Sequence, residues 1–479
     1  MAKGTERLFI GRQRELGILR EYLTARSASL LVIKGRRRIG KSRLIEEFSK
    51  ALRTIYFLGL APEEKITAED QRRHFANQLE KQIGLGGLEA GDWDDLFGHL
   101  SAHTKTGQVL VVFDEINWMG SKDATFLPKL KTAWDAALSK NPQLIMILSG
   151  SMAGWIEKNI LSSTGFFGRI ALDMTLEELP LQQCSLFWGT YAKQISAYEK
   201  FKVLSVTGGV PLYLELIRPE LSAEENIQRL AFRREGFLYN EFDRIFSDLF
   251  SRKKAIYRSI IEQVALQPRA EMEIFKGLGQ TPSGTISEYL EELVSTGYLA
   301  RDYTWNLKTK KATKQSSFRL CDNYLRFYLR YIEPKRELIR KSGSITAPEW
   351  YTIMGLQFEN LVLNNRPLLY RLLGLDLNEI EYDNPYFQTK TKARHGCQID
   401  LLIQTKFNTL YLCEIKFSKN EIGASVIQEV EEKIKRMVLP RGFSVRPVLI
   451  HVNGVTADLE EAGFFSHIID FGQMFNSNG

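Results

Sequence analysis

Gly35-Arg36-Arg37-Arg38-Ile39-Gly40-Lys41-Ser42 fits the pattern G-x-x-x-x-G-K-S, a loop that cradles phosphate. The apolar run Leu30-Leu31-Val32-Ile33 before it predicts a short buried strand. Arg43-Leu44-Ile45-Glu46-Glu47-Phe48 after it predicts the first turns of an amphipathic helix. Gly35 and Gly40 let the backbone turn its N–H groups toward phosphate oxygens, and the helix N-terminus adds a favourable dipole. In this arrangement Lys41 reaches the β- and γ-phosphates and the Ser42 hydroxyl serves Mg²⁺. The expectation is an α/β domain that binds a nucleoside triphosphate, with ATP and Mg²⁺ as cofactors.

Val109-Leu110-Val111-Val112-Phe113-Asp114-Glu115 is an apolar strand ending in two carboxylates. Behind a phosphate loop this is the Walker B pattern. Asp114 belongs to the Mg²⁺ shell, and Glu115 orients and deprotonates the attacking water, so hydrolysis is expected as well as binding. A third apolar run, Leu144-Ile145-Met146-Ile147-Leu148, ends in Ser149-Gly150-Ser151. Ser149 or Ser151 fits a γ-phosphate sensor; a simple strand-to-loop turn accounts for either one equally well.

The chain has 479 residues and a net charge of +7, long enough for about three domains of ~150 residues. The excess charge is local: about +2 over residues 1–250, about +7 over 251–340 and about −2 over 341–479. A polyanion contact is therefore expected to begin in the middle. Cys184, Cys321, Cys397 and Cys413 form no C-x-x-C pair, which fits reduced thiols and neither a disulfide frame nor a metal site. No apolar run approaches the ~18 residues of a membrane span. The start Met1-Ala2-Lys3-Gly4-Thr5-Glu6-Arg7 lacks a signal peptide's apolar core, so a cytoplasmic location without membrane contact is expected.

Taken together, these stretches resemble archaeal-type ATPases of the AAA+ superfamily, close to its signal-transducing branch with numerous domains. Phe9-Ile10-Gly11-Arg12-Gln13-Arg14-Glu15-Leu16 resembles that group's opening FxGRxxEL, Phe167-Gly168-Arg169 its Gly-Arg after the sensor strand, and Thr207-Gly208-Gly209-Val210-Pro211 its GGxP. The resemblance implies that Gly11 and Arg12 lie near the adenine and that Pro211 opens a lid helix. It also implies homo-oligomers on ATP binding, with Arg169 as an arginine finger; an ion-paired surface arginine is the other reading. Arg36, Arg37 and Arg38 are either solvated or in contact with phosphate or a partner. Genome defence or mobile-element maintenance is the setting the resemblance implies.

Within 253–297 the spacing predicts three helices: Ala255–Val264, Ala270–Leu278 and Thr285–Thr296. Tyr298–Arg301 and Ser317–Leu320 read as a hairpin around a loop with Lys308, Lys310, Lys311 and Lys314. The pattern is a winged helix-turn-helix, resembling the one that follows the ATPase in the same family. Its third helix carries Glu288, Glu291 and Glu292 and no Lys or Arg, so phosphate contact falls to the lysine wing. A structural spacer is the other reading, and the acidic helix also suits a protein partner.

Gln398–Ile403 and Leu410–Lys416 read as adjacent strands joined by a hairpin. Glu414 and Lys416, two apart, share a sheet face that Asp400 can meet. Two carboxylates and a lysine suit metal-assisted phosphodiester cleavage. The set resembles the PD-(D/E)XK nuclease fold, with Glu359 at its first acidic position and Gln428 as a further candidate; Ile399 stands where many nucleases have proline. The resemblance implies metal ligation by Glu359, Asp400 and Glu414 and catalysis by Lys416, or a fold kept for binding alone. The expected division is an ATPase domain at 1–180, a helical lid at 181–250, a winged helix at 251–340 and a restriction-endonuclease-like α/β domain at 341–479. DNA, met through the wing and the C-terminal domain, is the expected partner.

Overall fold

The computed structural model describes residues 9–61, 65–84, 86–120, 122–250, 254–390 and 395–476. The stretch Met1–Arg7, read above for a leader, lies outside them. The chain divides into two compact units, Met1–Glu177 and Glu178–Gly479.

The first unit is built on five strands: β1 (Ser29–Lys34), β2 (Arg53–Leu58), β3 (Val109–Asp114), β4 (Leu144–Gly150) and β5 (Ile170–Thr175). Their order is β2-β3-β4-β1-β5, and every neighbouring pair is parallel. Strands covered on both faces read as unbroken apolar runs, and β1, β3 and β4 do. Alternate residues serve opposite layers. Leu30, Val32, Val111 and Phe113 face a cluster with Phe57, Phe75, Trp93, Phe97 and Phe126. Leu31, Ile33, Leu110 and Val112 face Leu44, Ile45 and Phe48 of the helix that follows the phosphate loop. In the first cluster Phe57 stacks on Phe75 at 4.0 Å, and Trp93 meets Phe126 edge-on at 4.7 Å. The sheet thus brings the ends of β1, β3 and β4 side by side, with β4 between the two Walker strands.

The second unit opens with helices, including Ala197–Thr207, Pro211–Leu214 and Ala223–Ala231. Gly208 and Gly209 are required where the chain turns between the first two. A Cβ on Gly208 would lie 2.8 Å from Glu178 Oε1, and one on Gly209 would lie 2.4 Å from the Leu179 carbonyl. Next come helices Lys254–Val264, Glu271–Gly277 and Gly284–Ser295, with strands β6 (Arg269–Ala270), β7 (Leu299–Asn306) and β8 (Lys311–Leu320) in the order β6-β8-β7. The three expected helices are present, but the hairpin is longer than the sequence reading had it. Lys311 and Lys314 lie on β8 itself, and Trp305 and Leu307 enter the core of the following sheet.

That sheet contains β9 (Ile380–Gln388), β10 (Cys397–Thr405), β11 (Thr409–Ile415), β12 (Ser444–His451) and β13 (His467–Asp470), in the order β13-β12-β11-β10-β9. β9, β10 and β11 run antiparallel; β11, β12 and β13 run parallel. Helix Tyr351–Leu363 precedes it, and helix Ser425–Arg436 links β11 to β12.

A buried polar network joins these parts of the second unit. Arg319 pairs with Asp302 at 3.0 Å and donates to Asn360 Oδ1 at 2.5 Å. Arg326 donates to Gln357 Oε1 at 2.5 Å, and Gln357 Nε2 donates to the carbonyls of Ser205 and Asn323 at 2.6 and 2.8 Å. Two buried guanidinium groups are tolerable because they find acceptors: Arg326 also donates to the carbonyls of Ala265 and Leu320 at 2.7 and 2.9 Å.

Candidate functional site

The phosphate loop sits where the sequence put it, between β1 and the helix Lys41–Ser49. Gly35 closes against the end of β5: a Cβ there would lie 2.5 Å from the Leu176 carbonyl. Gly40 caps the helix at φ 92, and Arg38 is also left-handed at φ 68. Lys41 is buried and folds its ammonium back onto the loop, donating to the carbonyls of Gly35 at 2.8 Å and Arg36 at 3.1 Å. Burial lowers its pKa, against the opposing pull of Glu115 and Asp114. A cation stripped of water beside a cup of backbone N–H groups is well suited to an incoming phosphate.

Asp114 ends β3 as a hub. Its Oδ2 accepts from Ser42 Oγ at 2.7 Å and from the Tyr56 hydroxyl, and its Oδ1 accepts from the Glu115 N–H at 3.1 Å. Burial and the Asp114 charge push the Tyr56 hydroxyl's pKa well up, so it stays a donor. Glu115 is held in the left-handed region at φ 50. Its carboxylate accepts from the Ser151 N–H at 3.1 Å and from Ser151 Oγ at 2.7 Å. Ser149 is fully buried at the end of β4, and its Oγ finds no hydrogen-bond partner. The residues fit a magnesium–nucleotide complex: Ser42 and Asp114 are already paired, Lys41 is lodged on the loop, and an unsatisfied hydroxyl lies on the strand between.

Tyr56, Ser151 as the anchor of Glu115, and Asn117 were not singled out for these places by sequence. Asn117 is buried beside Gly150, where a Cβ would lie 2.3 Å from Asn117 Oδ1 and 3.0 Å from Ile156 Cδ1. Gly150→Ala is therefore expected to cost about 1–3 kcal/mol of stability, checked by urea unfolding of variant and wild type.

Arg12 does more locally than its expected place near an adenine. It donates to the Ile39 carbonyl inside the phosphate loop at 3.1 Å and to the Glu177 carbonyl, and it pairs with Glu15 at 3.2 Å. Gly11 and Arg12 are both left-handed, at φ 76 and 60, which turns the chain into the first helix, Gln13–Glu21. Arg37 lies over the Trp118 ring at 5.6 Å. Arg169 forms a two-armed ion pair with Asp135 at 2.7 and 3.0 Å, which Lys131 joins at 2.9 Å, and Asp135 is held down at about 2 by these contacts. Of its two sequence readings, the ion-paired arginine is the state seen in the single chain. Pro211 begins the helix Pro211–Leu214 in the second unit.

The C-terminal carboxylates lie on β10, β11 and the helix Tyr351–Leu363. Glu414 and Lys416 do face the same element, helix Ser425–Arg436, but each is neutralised there. Glu414 pairs with Lys433, and Lys416 pairs with Glu429 one turn earlier. Asp400 accepts from the Ile415 N–H at 2.9 Å. Glu359 is more basic than usual because of burial, against the pull of Arg319 and Arg326. Among the described residues no three His, Cys, Asp or Glu side chains gather to hold a metal ion. Glu359, Asp400 and Glu414 still lie close enough together that, beyond burial, the charges of Glu414 and Glu359 raise the Asp400 carboxyl, with Lys433 opposing them. Lys433 adds a second ammonium to this group beside the expected Lys416.

Burial, then Glu414, raises the Asp400 carboxyl to about 7, with Lys433 and the Ile415 N–H opposing. A carboxyl raised in the folded state holds its proton better folded than unfolded. Its stabilising effect is complete below the unfolded pKa of ~4 and is lost as pH climbs to the folded value. Asp400→Asn, which keeps the acceptor for Ile415, is therefore expected to raise Tm by about 2–4 °C at about pH 8 and by less at about pH 5. Thermal melts at the two pH values check this.

Cys184, Cys321, Cys397 and Cys413 are not disulfide-bonded to one another, and among the described residues no helix is long and apolar enough to cross a membrane.

Comparison with known proteins agrees with the first site. Residues 9–217 match a family described as an ATPase domain predominantly from Archaea. An uncharacterized protein of Methanocaldococcus jannaschii is 25% identical over 336 residues, 70% of this chain and 71% of its own length. The Walker-type ATPase of Pyrococcus abyssi superposes with a TM-score of 0.51 at 18% identity, over 67% of this chain and 96% of that one. The ORC2 protein of Aeropyrum pernix aligns at 16% identity over 70% and 97%, with a TM-score of 0.41. Residues 9–217 therefore carry an archaeal-type ATPase domain with a parallel-sheet P-loop core.

Proposed function

We propose that the chain is a magnesium-dependent ATP hydrolase of the AAA+ class whose nucleotide state controls DNA contacts made by its second unit. The observation that carries this reading is the Ser42–Asp114 pair at 2.7 Å with Glu115 anchored next to it. Magnesium would be held by Ser42 and the Asp114 carboxylate, where it would neutralise charge on the phosphates. Lys41 leaves the carbonyls of Gly35 and Arg36 for phosphate oxygens. Glu115 keeps one carboxylate oxygen on Ser151 and takes the water's proton with the other. Ser149 supplies its unsatisfied hydroxyl to the terminal phosphate. In an oligomer Arg169 exchanges Asp135 for a neighbour's nucleotide, and Gly11 and Arg12 border the adenine.

Residues 251–340 are read as a winged helix, which the helix–strand–helix–helix–strand–strand order and the β6-β8-β7 sheet support. Lys308, Lys311 and Lys314 are exposed and suit phosphate contacts. Residues 341–479 are read as a nuclease-like fold, supported by two helices, three antiparallel strands, a third helix and a parallel strand in succession. The Glu414–Lys433 pair favours a domain that binds, and Mg²⁺-dependent cleavage of DNA by the full chain would contradict that reading. ATP turnover measured with and without duplex DNA tests the reading. Stimulation by DNA, with retardation of DNA at low salt, is expected; neither effect would contradict the DNA contact. A protein partner is the second reading, favoured by the exposed Glu288, Glu291 and Glu292 on helix Gly284–Ser295. It predicts crosslinks through that helix and no salt-dependent affinity for nucleic acid.

A further inference from the structure

The long β7–β8 hairpin leans on β9 and leaves a cleft of about 450 Å³, within the range of roughly 300–1,000 Å³ that small-molecule sites occupy. Three features limit what could fill it. Half-buried Phe387 gives it an aromatic wall, backed from the sheet core by the buried Trp305 and Tyr386, which meet edge-on at 5.3 Å. Thr304 also lines it, is 3% exposed, and has an Oγ1 without any hydrogen-bond partner. A hydroxyl so buried is costly unless something arrives to bond it. Finally, Lys308 is the charged group of the lining, and Asp and Glu are absent from its described residues.

Aromatic walls favour a flat ring, hydroxyls and amides suit its polar edge, and a cation without a neighbouring carboxylate favours an anion. We propose that this cleft binds a nucleotide, free or as an unpaired residue of a single strand, with Thr304 Oγ1 bonding the base and Lys308 the phosphate. Aliphatic acids would leave the polar edge unmatched, and cationic ligands would meet Lys308. The site lies in the second unit and needs no nucleotide at the P-loop, so it stands or falls separately from the ATPase reading.

The test is calorimetry on the full chain carrying Lys41→Ala, which silences the P-loop. The probes are the common nucleoside monophosphates and a short unstructured oligodeoxynucleotide. Saturable one-site binding of at least one probe is expected. Thr304→Val should weaken it roughly threefold to tenfold while leaving Tm unchanged or higher, since the hydroxyl removed bonds nothing in the protein. Lys308→Ala should weaken it and flatten its dependence on salt. Tighter binding of the oligomer than of any monophosphate identifies a strand as the source, and the reverse identifies a free nucleotide. No binding of any probe, or binding unchanged by Thr304→Val, would overturn the proposal.

Discussion

Lys41→Ala is expected to abolish ATP turnover, lowering kcat/KM by about a thousandfold or more, the upper end of what one removed charge-stabilising donor costs. The size follows from where Lys41 sits. It is buried, its ammonium is already bonded to the Gly35 and Arg36 carbonyls, and its pKa is pulled down by that burial. An alanine leaves those carbonyls facing the phosphates with no positive charge between them. Fold should survive, because the aromatic cluster and the apolar faces of β1, β3 and β4 are untouched. Steady-state release of phosphate from ATP, with circular dichroism as the control for folding, checks both halves.

Glu115→Gln should separate binding from hydrolysis. Asp114, Ser42 and Lys41 remain, so ATP is retained with a Kd within a few-fold of wild type. The amide can still accept from Ser151, so the side chain stays in place. Only its ability to take the water's proton is lost, and turnover should fall about a hundredfold to ten-thousandfold. A strained left-handed backbone at φ 50 in a non-glycine residue persists only where its surroundings over-determine it. The two bonds from Ser151 are what hold Glu115 there, which ties the end of β4 to the Walker B strand.

Much of the first unit was legible because strands buried on both faces must read as continuous apolar runs, and Leu30–Ile33, Val109–Phe113 and Leu144–Leu148 do. Tyr56 was not legible. It lies on the edge strand β2, half-buried, and its hydroxyl meets Asp114 only because β2 pairs with β3. The hairpin is longer than its sequence signal. Tyr303 is exposed and Trp305 buried, and an irregularity between them breaks the period of two by which a strand is read. Lys433 was hidden for a different reason. Helix Ser425–Arg436 carries three cations in its last turns, and only the packing against β11 shows which of them meets Glu414. The spacing of Glu414 and Lys416 placed both on one face, but not which acid would claim the lysine.

The most direct test of the central claim is single-turnover release of phosphate from ATP with Mg²⁺, comparing wild type with Glu115→Gln. Wild type should release phosphate while Glu115→Gln holds intact ATP. Equal release by both proteins, or ATP kept unhydrolysed by wild type at every protein concentration, would contradict a hydrolytic site built on Asp114 and Glu115.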